Sequence, residues 1–147
     1  MRDQFYLYFD KGMPTGTSQQ KGVYVRNGKP RFYEKSSVEK ARQEFTLALK
    51  PHAPKTPCTK PVKLVIWFAF DVKDKKLWGK PKPTKPDTDN FLKLFKDCMQ
   101  ATGYFKDDSQ VVDERVFKTY SEKATIMVCY QEINEINFAE GENNGKS

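Results

Sequence analysis

Residues 85–108 read KPDTDNFLKLFKDCMQATGYFKDD, a helical pattern with carboxylates at both ends. Phe91, Leu94, Phe95, Cys98 and Thr102 recur at three- and four-residue spacing, so a helix over 88–102 presents one apolar face. Gly103 provides its left-handed stop. Such a helix must bury that face against another layer, and it carries its acids with it. Asp87 and Asp89 fall at its mouth, Lys93 lies one turn further on, and Asp107 and Asp108 follow its end. Asp89, Lys93 and Asp97 are spaced four apart and form a polar stripe beside the apolar face.

The other elements are arranged around this helix. Residues 5–9 read as a strand and 10–22 as a loop of Gly, Pro, Thr, Ser, Gln and Lys. Gly12 and Gly16 lack the spacing of a phosphate-binding G-x-x-x-x-G-K-[ST] loop. Residues 23–26 and 31–33 flank Asn27-Gly28, a hairpin turn because both residues tolerate positive φ. Ser36 and Glu39 form a capping box. Val38, Ala41, Phe45 and Ala48 then give a helical stripe that stops before Pro51. Residues 51–61 hold four prolines and connect irregularly to a long apolar strand over 62–72, expected to be covered on both faces. A lysine- and proline-rich loop around Trp78 fills 73–86. Residues 111–120 and 124–130 complete the set as two strands, expected to be antiparallel neighbours through a turn at 121–123. The order β-ββ-α-β-α-β-β predicts a single α+β domain over 1–131 with a mixed sheet and two main helices. Residues 132–147 form a polar tail expected to be flexible.

Charge narrows the class of partner. The tail carries four glutamates against one lysine, so residues 1–131 hold +10 where the whole chain has +7. A surplus of that size on one small domain points to a polyanion, most often nucleic acid; a merely soluble surface is the plainer alternative. Lys73, Lys75, Lys76, Lys80, Lys82 and Lys85 stand immediately before the acids, where they suit DNA phosphates better than a bare solvated loop. Cys58, Cys98 and Cys129 form no C-x-x-C pair, and the last two sit in apolar patterns where a buried thiol is ordinary. No signal peptide is evident and the longest apolar run is far too short to span a bilayer, so a cytoplasmic protein without a membrane partner is expected.

Each acid has a structural explanation when taken alone. An aspartate at a helix N-terminus is a common cap, Lys93 and Asp97 suit a solvated ion pair, and His52, the sole histidine, supports neither a zinc site nor a histidine base. Capping does not account for Asp87 and Asp89 together with the second pair. If the strand after Asp108 begins beside the helix start, three carboxylates share one volume. Such a group needs a cation, because like charges raise one another's pKa. Mg²⁺ prefers such oxygens and leaves positions open for phosphate. Whether the chain makes that return is left open by the residue pattern.

The combination of KPDTDN-x-x-K, an apolar helix and GYFKDDSQVVDERVFK resembles the RusA-type Holliday junction resolvases of bacteria and phages, closely over 85–118. The resemblance implies a homodimeric, Mg²⁺-dependent endodeoxyribonuclease, with Mn²⁺ as a substitute, that cuts opposed strands of branched, four-way DNA. It implies Asp87, Asp89 and Asp108 as metal-binding catalytic acids, Lys93 as a catalytic lysine and Asp107 as an auxiliary acid. The lysines of the 73–86 loop stand where relatives carry arginines, which leaves junction preference open. Two readings compete with this one: a nucleic-acid-binding module without catalysis, and a metal nuclease acting on flaps, forks or RNA.

Overall fold

A computed structural model describes residues 2–15, 21–34 and 36–136. The tail beyond 136, part of the loop at 16–20 and Lys35 lie outside the described residues, so the expectation for the tail is not addressed by the structure. The strands are β1 (Arg2–Phe9), β2 (Lys21–Arg26), β3 (Lys29–Glu34), β4 (Val62–Asp71), β5 (Val111–Ser121) and β6 (Ala124–Glu132). The helices are α1 (Ser36–Leu49) and α2 (Thr88–Ala101), with single 3-10 turns at Lys50–His52, Lys75–Leu77 and Asp108–Gln110. This is the expected α+β order with a mixed sheet. β2 and β3 form a separate antiparallel hairpin whose turn places Asn27 and Gly28 at φ 53° and 75°, the left-handed region their chemistry allows.

The main sheet has the order β1-β6-β4-β5. β4 therefore runs between the last two strands, which are not neighbours as their sequence adjacency suggests. β5 lies parallel to β4, and β6 pairs antiparallel with both β4 and β1. Glu122 and Lys123 carry the chain over the end of β4, where the Val72 amide donates to the Ser121 carbonyl at 3.0 Å. Burial explains why adjacency lost. β6 buries Ala124, Ile126, Val128 and Tyr130 and takes an inner place, whereas β5, with Asp113, Glu114 and Arg115, is suited to an edge.

β4 buries Leu64, Ile66, Phe68 and Phe70 on one face, and on the other only Ala69, at the end of the strand, is buried. Its other face, with Lys63, Val65 and Trp67, is half-buried, so the expectation of cover on both sides is corrected. Trp67 stacks on Phe117 of β5 on that open side, at 6.2 Å between ring centroids, and donates to the Thr119 hydroxyl at 2.8 Å. Cys129 shares the open face and is half-buried, while Cys98 is buried as its pattern implies.

Both helices pack on the buried face. Phe45 of α1 meets Phe91 and Phe95 of α2 edge-on at 5.6 and 5.3 Å, and Phe68 of β4 meets the same two rings at 4.6 and 5.7 Å. Edge-to-face pairs of this kind contribute about 0.5–1.5 kcal/mol each beyond area burial. α2 ends on a Schellman motif. Tyr104 donates to the Met99 carbonyl at 3.0 Å and Gly103, at φ 92°, to that of Gln100 at 3.1 Å.

Candidate nuclease site

The loop before α2 is built onto the sheet. Its backbone runs along the outer edge of β5: Gly79 donates to the Tyr120 carbonyl at 2.8 Å, Tyr120 to that of Lys80 at 2.9 Å, and Lys82 to that of Lys118 at 3.2 Å. Trp78 anchors it from within, its indole N–H on the Val72 carbonyl at 2.9 Å. The sequence left this loop open to a flexible reading, and its backbone pairing removes that reading. Lys73, Lys75, Lys76, Lys80 and Lys85 are exposed along it. Lys75 lies 6.0 Å from the Trp78 ring centre.

Two lysines hold the last residues before α2. Lys118 of β5 donates to the carbonyls of Thr84 and Pro86, the latter at 2.7 Å. Lys82 donates to the Lys85 carbonyl at 2.7 Å and to the Thr84 hydroxyl, with its ammonium 5.2 and 5.4 Å from the Phe70 and Tyr120 ring centres. Partial burial lowers the Lys118 pKa, the like charge of Lys82 lowers it further, and the Asp87 carboxylate opposes the change. Asp87 thus begins α2 on a braced segment beside fixed positive charge. Lys118 lies inside the GYFKDDSQVVDERVFK segment, where residue type alone assigns it no role. The signal that could have found it is the strand's alternation, which puts Lys118 and Glu114 on the face turned to α2, where Glu114 pairs with Lys96 at 3.0 Å.

Asp87 is the N-cap of α2 by backbone conformation, yet its side chain makes no capping hydrogen bond. Asp89 sits in the first turn, and both residues are exposed. Capping therefore leaves both carboxylates available. The helix dipole and the unpaired amides of the first turn stabilise negative charge at this end. Lys93 is exposed one turn along α2. Among the described residues it forms no ion pair with Asp89 or Asp97, so the solvated-pair explanation of this lysine is not met.

The second pair of acids stands elsewhere. After Gly103 the chain is fastened to the connection ahead of β4: Cys58 donates to the Tyr104 carbonyl at 3.0 Å, and the Gln110 side-chain amide donates to the carbonyls of Cys58 and Lys60 at 2.9 and 3.0 Å. The Asp107 carboxylate accepts from the Ser109 amide at 2.9 Å, and the Asp107 amide donates to the Gln110 side-chain oxygen at 2.9 Å, a complete capping box. The Ser109 hydrogen bond holds the Asp107 carboxyl below its usual pKa. Asp107 is thus occupied with structure. The Asp108 amide donates to the Gln100 side chain at 2.9 Å, which ties it to the far end of α2.

Two rulers measure the gap. Asp89 and Gln100 are eleven residues apart on α2, about 16 Å at 1.5 Å per residue. Along the sheet, Val62 pairs with Val111 and Phe68 with Lys118, so the start of β5 and the Lys118 position beside Asp87 stand about 20 Å apart at 3.3 Å per residue. Among the described residues, no group of three or more His, Cys, Asp or Glu could hold a metal ion. The expected return of Asp108 to Asp87 and Asp89 within one chain does not occur. Its physical reason is that β5 runs antiparallel to α2, so the strand starts beside the helix end. Asp87 and Asp89, exposed together at the start of α2, are therefore the residues of one chain that would hold a divalent metal, which takes one or two carboxylates with phosphate oxygens and water.

Comparison with known proteins agrees with the motif. The family model for Endodeoxyribonuclease RusA matches residues 11–129. The chain is 36% identical over 138 residues to the crossover junction endodeoxyribonuclease rusA of Lactococcus phage r1t, covering 92% of this chain and all of that protein. It is 33% identical over 134 residues to the uncharacterized protein YqaN of Bacillus subtilis (strain 168), covering 84% of this chain and 93% of that one. With the acidic helix, its braced lysine loop and the second acid motif all inside the matched span, the chain belongs to the RusA endodeoxyribonuclease family.

Proposed function

We propose that this protein is a structure-selective endodeoxyribonuclease that resolves four-way DNA junctions with paired symmetric nicks and depends on Mg²⁺. Support comes from the family and from the phage relative named as a crossover junction endodeoxyribonuclease. The observation that carries the reading is the N-terminus of α2, where Asp87 and Asp89 are exposed without a capping task beside a braced loop of exposed lysines. Acids and cations set side by side suit a phosphodiester: the lysines neutralise the backbone on either side while the carboxylates face the position to be cut.

In this reading Lys73, Lys75, Lys76, Lys80 and Lys85 draw the DNA backbone along the loop, reading charge and shape in preference to bases. Lys82 and Lys118 hold the 84–86 segment so that Asp87 and Asp89 keep their positions when DNA approaches. Lys93 places an ammonium one turn from Asp89, on the side where negative charge develops. No helix among the described residues is long and apolar enough to cross a membrane.

The test is a substrate panel of four-way, flap, fork, linear duplex and RNA substrates, each with Mg²⁺, with Mn²⁺ and with a chelator. The expected outcome is cutting of the four-way junction alone or far faster than the others, and none with chelator. Binding without cutting under every condition would replace this reading by a non-catalytic binding module. Equal rates on all substrates would remove the junction preference.

A further inference from the structure

We infer that the β2–β3 hairpin is a second DNA-contacting element, a basic ribbon that enters the major groove of a duplex arm beside the position to be cut. The inference rests on the nuclease reading, which makes DNA the polyanion. Among the described residues, β2 and β3 pair with each other and with no strand of the main sheet, so the hairpin is an arm. Its tip, residues 25–30, is exposed throughout, and Val25 is 73% exposed.

The register sorts the arm into two unlike faces, because successive residues of a strand alternate. Arg26 opposite Lys29, Tyr24 opposite Arg31 and Gly22 opposite Tyr33 fall on one face. Val25 opposite Pro30, Val23 opposite Phe32 and Lys21 opposite Glu34 fall on the other. The first face thus combines Arg26, Lys29 and Arg31 with two tyrosines and no acid, and Glu34 shares the second with Lys21. Like charges set directly across a ribbon, as Arg26 and Lys29 are, destabilise it. DNA phosphates against that face reverse the sign of the effect. The size fits as well. Six residues per strand reach about 17 Å from root to tip, against a major groove about 12 Å wide and 8.5 Å deep that admits a two-stranded ribbon.

The root of the arm stands at the end of the domain where α2 begins. β3 leads into α1, whose Ser37 and Lys40 line one cavity with Met13 and Thr15. The Met13 amide donates to the carboxylate of Asp71, the last residue of β4, at 3.0 Å. Phe70, one residue earlier, packs against Phe91 in the first turn of α2 at 5.5 Å between ring centroids. DNA held at Asp87, Asp89 and the lysine loop therefore lies at the end of the molecule from which the arm arises. The loop grips phosphates at the cut, and the arm grips the duplex beyond it.

The test uses the full chain with Arg26, Lys29 and Arg31 all replaced by Ala, and a labelled four-way junction held in chelator so that nothing is cut. Each lost phosphate contact removes about 0.9 from the slope of log affinity against log salt, so a fall of about two to three units is expected, with the melting temperature nearly unchanged. Should the triple variant fail to fold, Arg26→Gln with Lys29→Gln, both at the exposed tip, is expected to lower the slope by about two units. Dimethyl sulfate footprinting reads the groove, because guanine N7 lies in the major groove and adenine N3 in the minor. Wild-type protein is expected to protect guanine N7 on a duplex arm, and the variant to lose that protection. An unchanged slope and footprint in a folded variant overturns the proposal, as does protection confined to adenine N3. The two readings fail separately. If the variant loses slope and footprint while wild-type protein never cuts with Mg²⁺, the nuclease reading falls and the arm stands; if wild-type protein cuts junctions and the variant binds as it does, the arm alone falls.

Discussion

Asp89 and Asp108 are exposed or half-exposed, and neither supports a core contact. Their replacement by Asn therefore changes charge with little change in fold. Asp89→Asn is expected to abolish junction cutting, at least a hundredfold in rate, with binding unchanged or tighter because a negative charge leaves a phosphate site; gel-shift and cleavage assays on one preparation separate the two effects. Lys118 is the contrasting residue. Its ammonium holds the Thr84 and Pro86 carbonyls, and hydrogen bonds from a charged donor contribute about 1.5–3 kcal/mol. Lys118→Met is expected to lower stability by that order, measured as the urea midpoint, and to slow cutting. Lys118→Arg should recover stability more fully than rate, because a planar fork replaces a point charge aimed at two carbonyls.

At the scale of elements, α2 buries Phe91, Leu92, Leu94, Phe95, Cys98 and Met99 in the core and also carries Asp89. Phe91 touches Phe45, Phe68 and Phe70 and is 1% exposed. Truncation to Ala is expected to cost about 3–5 kcal/mol, read from chemical denaturation. The same variant should lose activity in proportion to its unfolded fraction, since Phe91 sits two residues from Asp89. The lysine loop acts differently, through long-range charge. Each lysine that contacts a phosphate adds about 0.9 to the slope of log affinity against log salt. Replacing Lys73, Lys76 and Lys80 together by Ala should lower that slope by about two to three units, measured by titrating a labelled junction at several salt concentrations, with the melting temperature nearly unchanged. An unchanged slope would place the DNA on another face.

Across the whole molecule, the post-helix segment and the sheet are locked by two phenols. Tyr104 donates to the Leu49 carbonyl at 2.5 Å and packs edge-on against Tyr130 at 5.5 Å. Burial raises the Tyr130 pKa to about 12, with the charge of Asp3 adding to it. The folded state therefore keeps a proton that the unfolded chain loses near pH 10. The associated stability is complete below pH 10 and is lost as pH rises through about 12. Global stability should fall over that window, and Tyr130→Phe should flatten the fall; an equally steep fall in that variant would assign the change to other groups.

How much of this was legible before folding depends on range. Helical spacing of Phe91, Leu94, Phe95 and Cys98, the Gly103 stop, the Asn27-Gly28 turn and the acidic motif are local patterns, and local sterics with one-sided burial suffice to specify them. The order of strands was not legible, since pairing β5 with β4 instead of β6 is decided by which strand can bear an exposed edge. The same was true of the lysine loop, whose composition reads as solvated although its backbone completes the β5 edge. Chemistry divides along the same line. Residue types and spacing alone supplied the candidate acids and loop lysines and the expectation of a polyanionic partner. Only the tertiary structure decided that the two acid motifs lie at opposite ends of one helix, because the direction of a strand against a helix is set by packing across the sheet and not by any neighbouring residue.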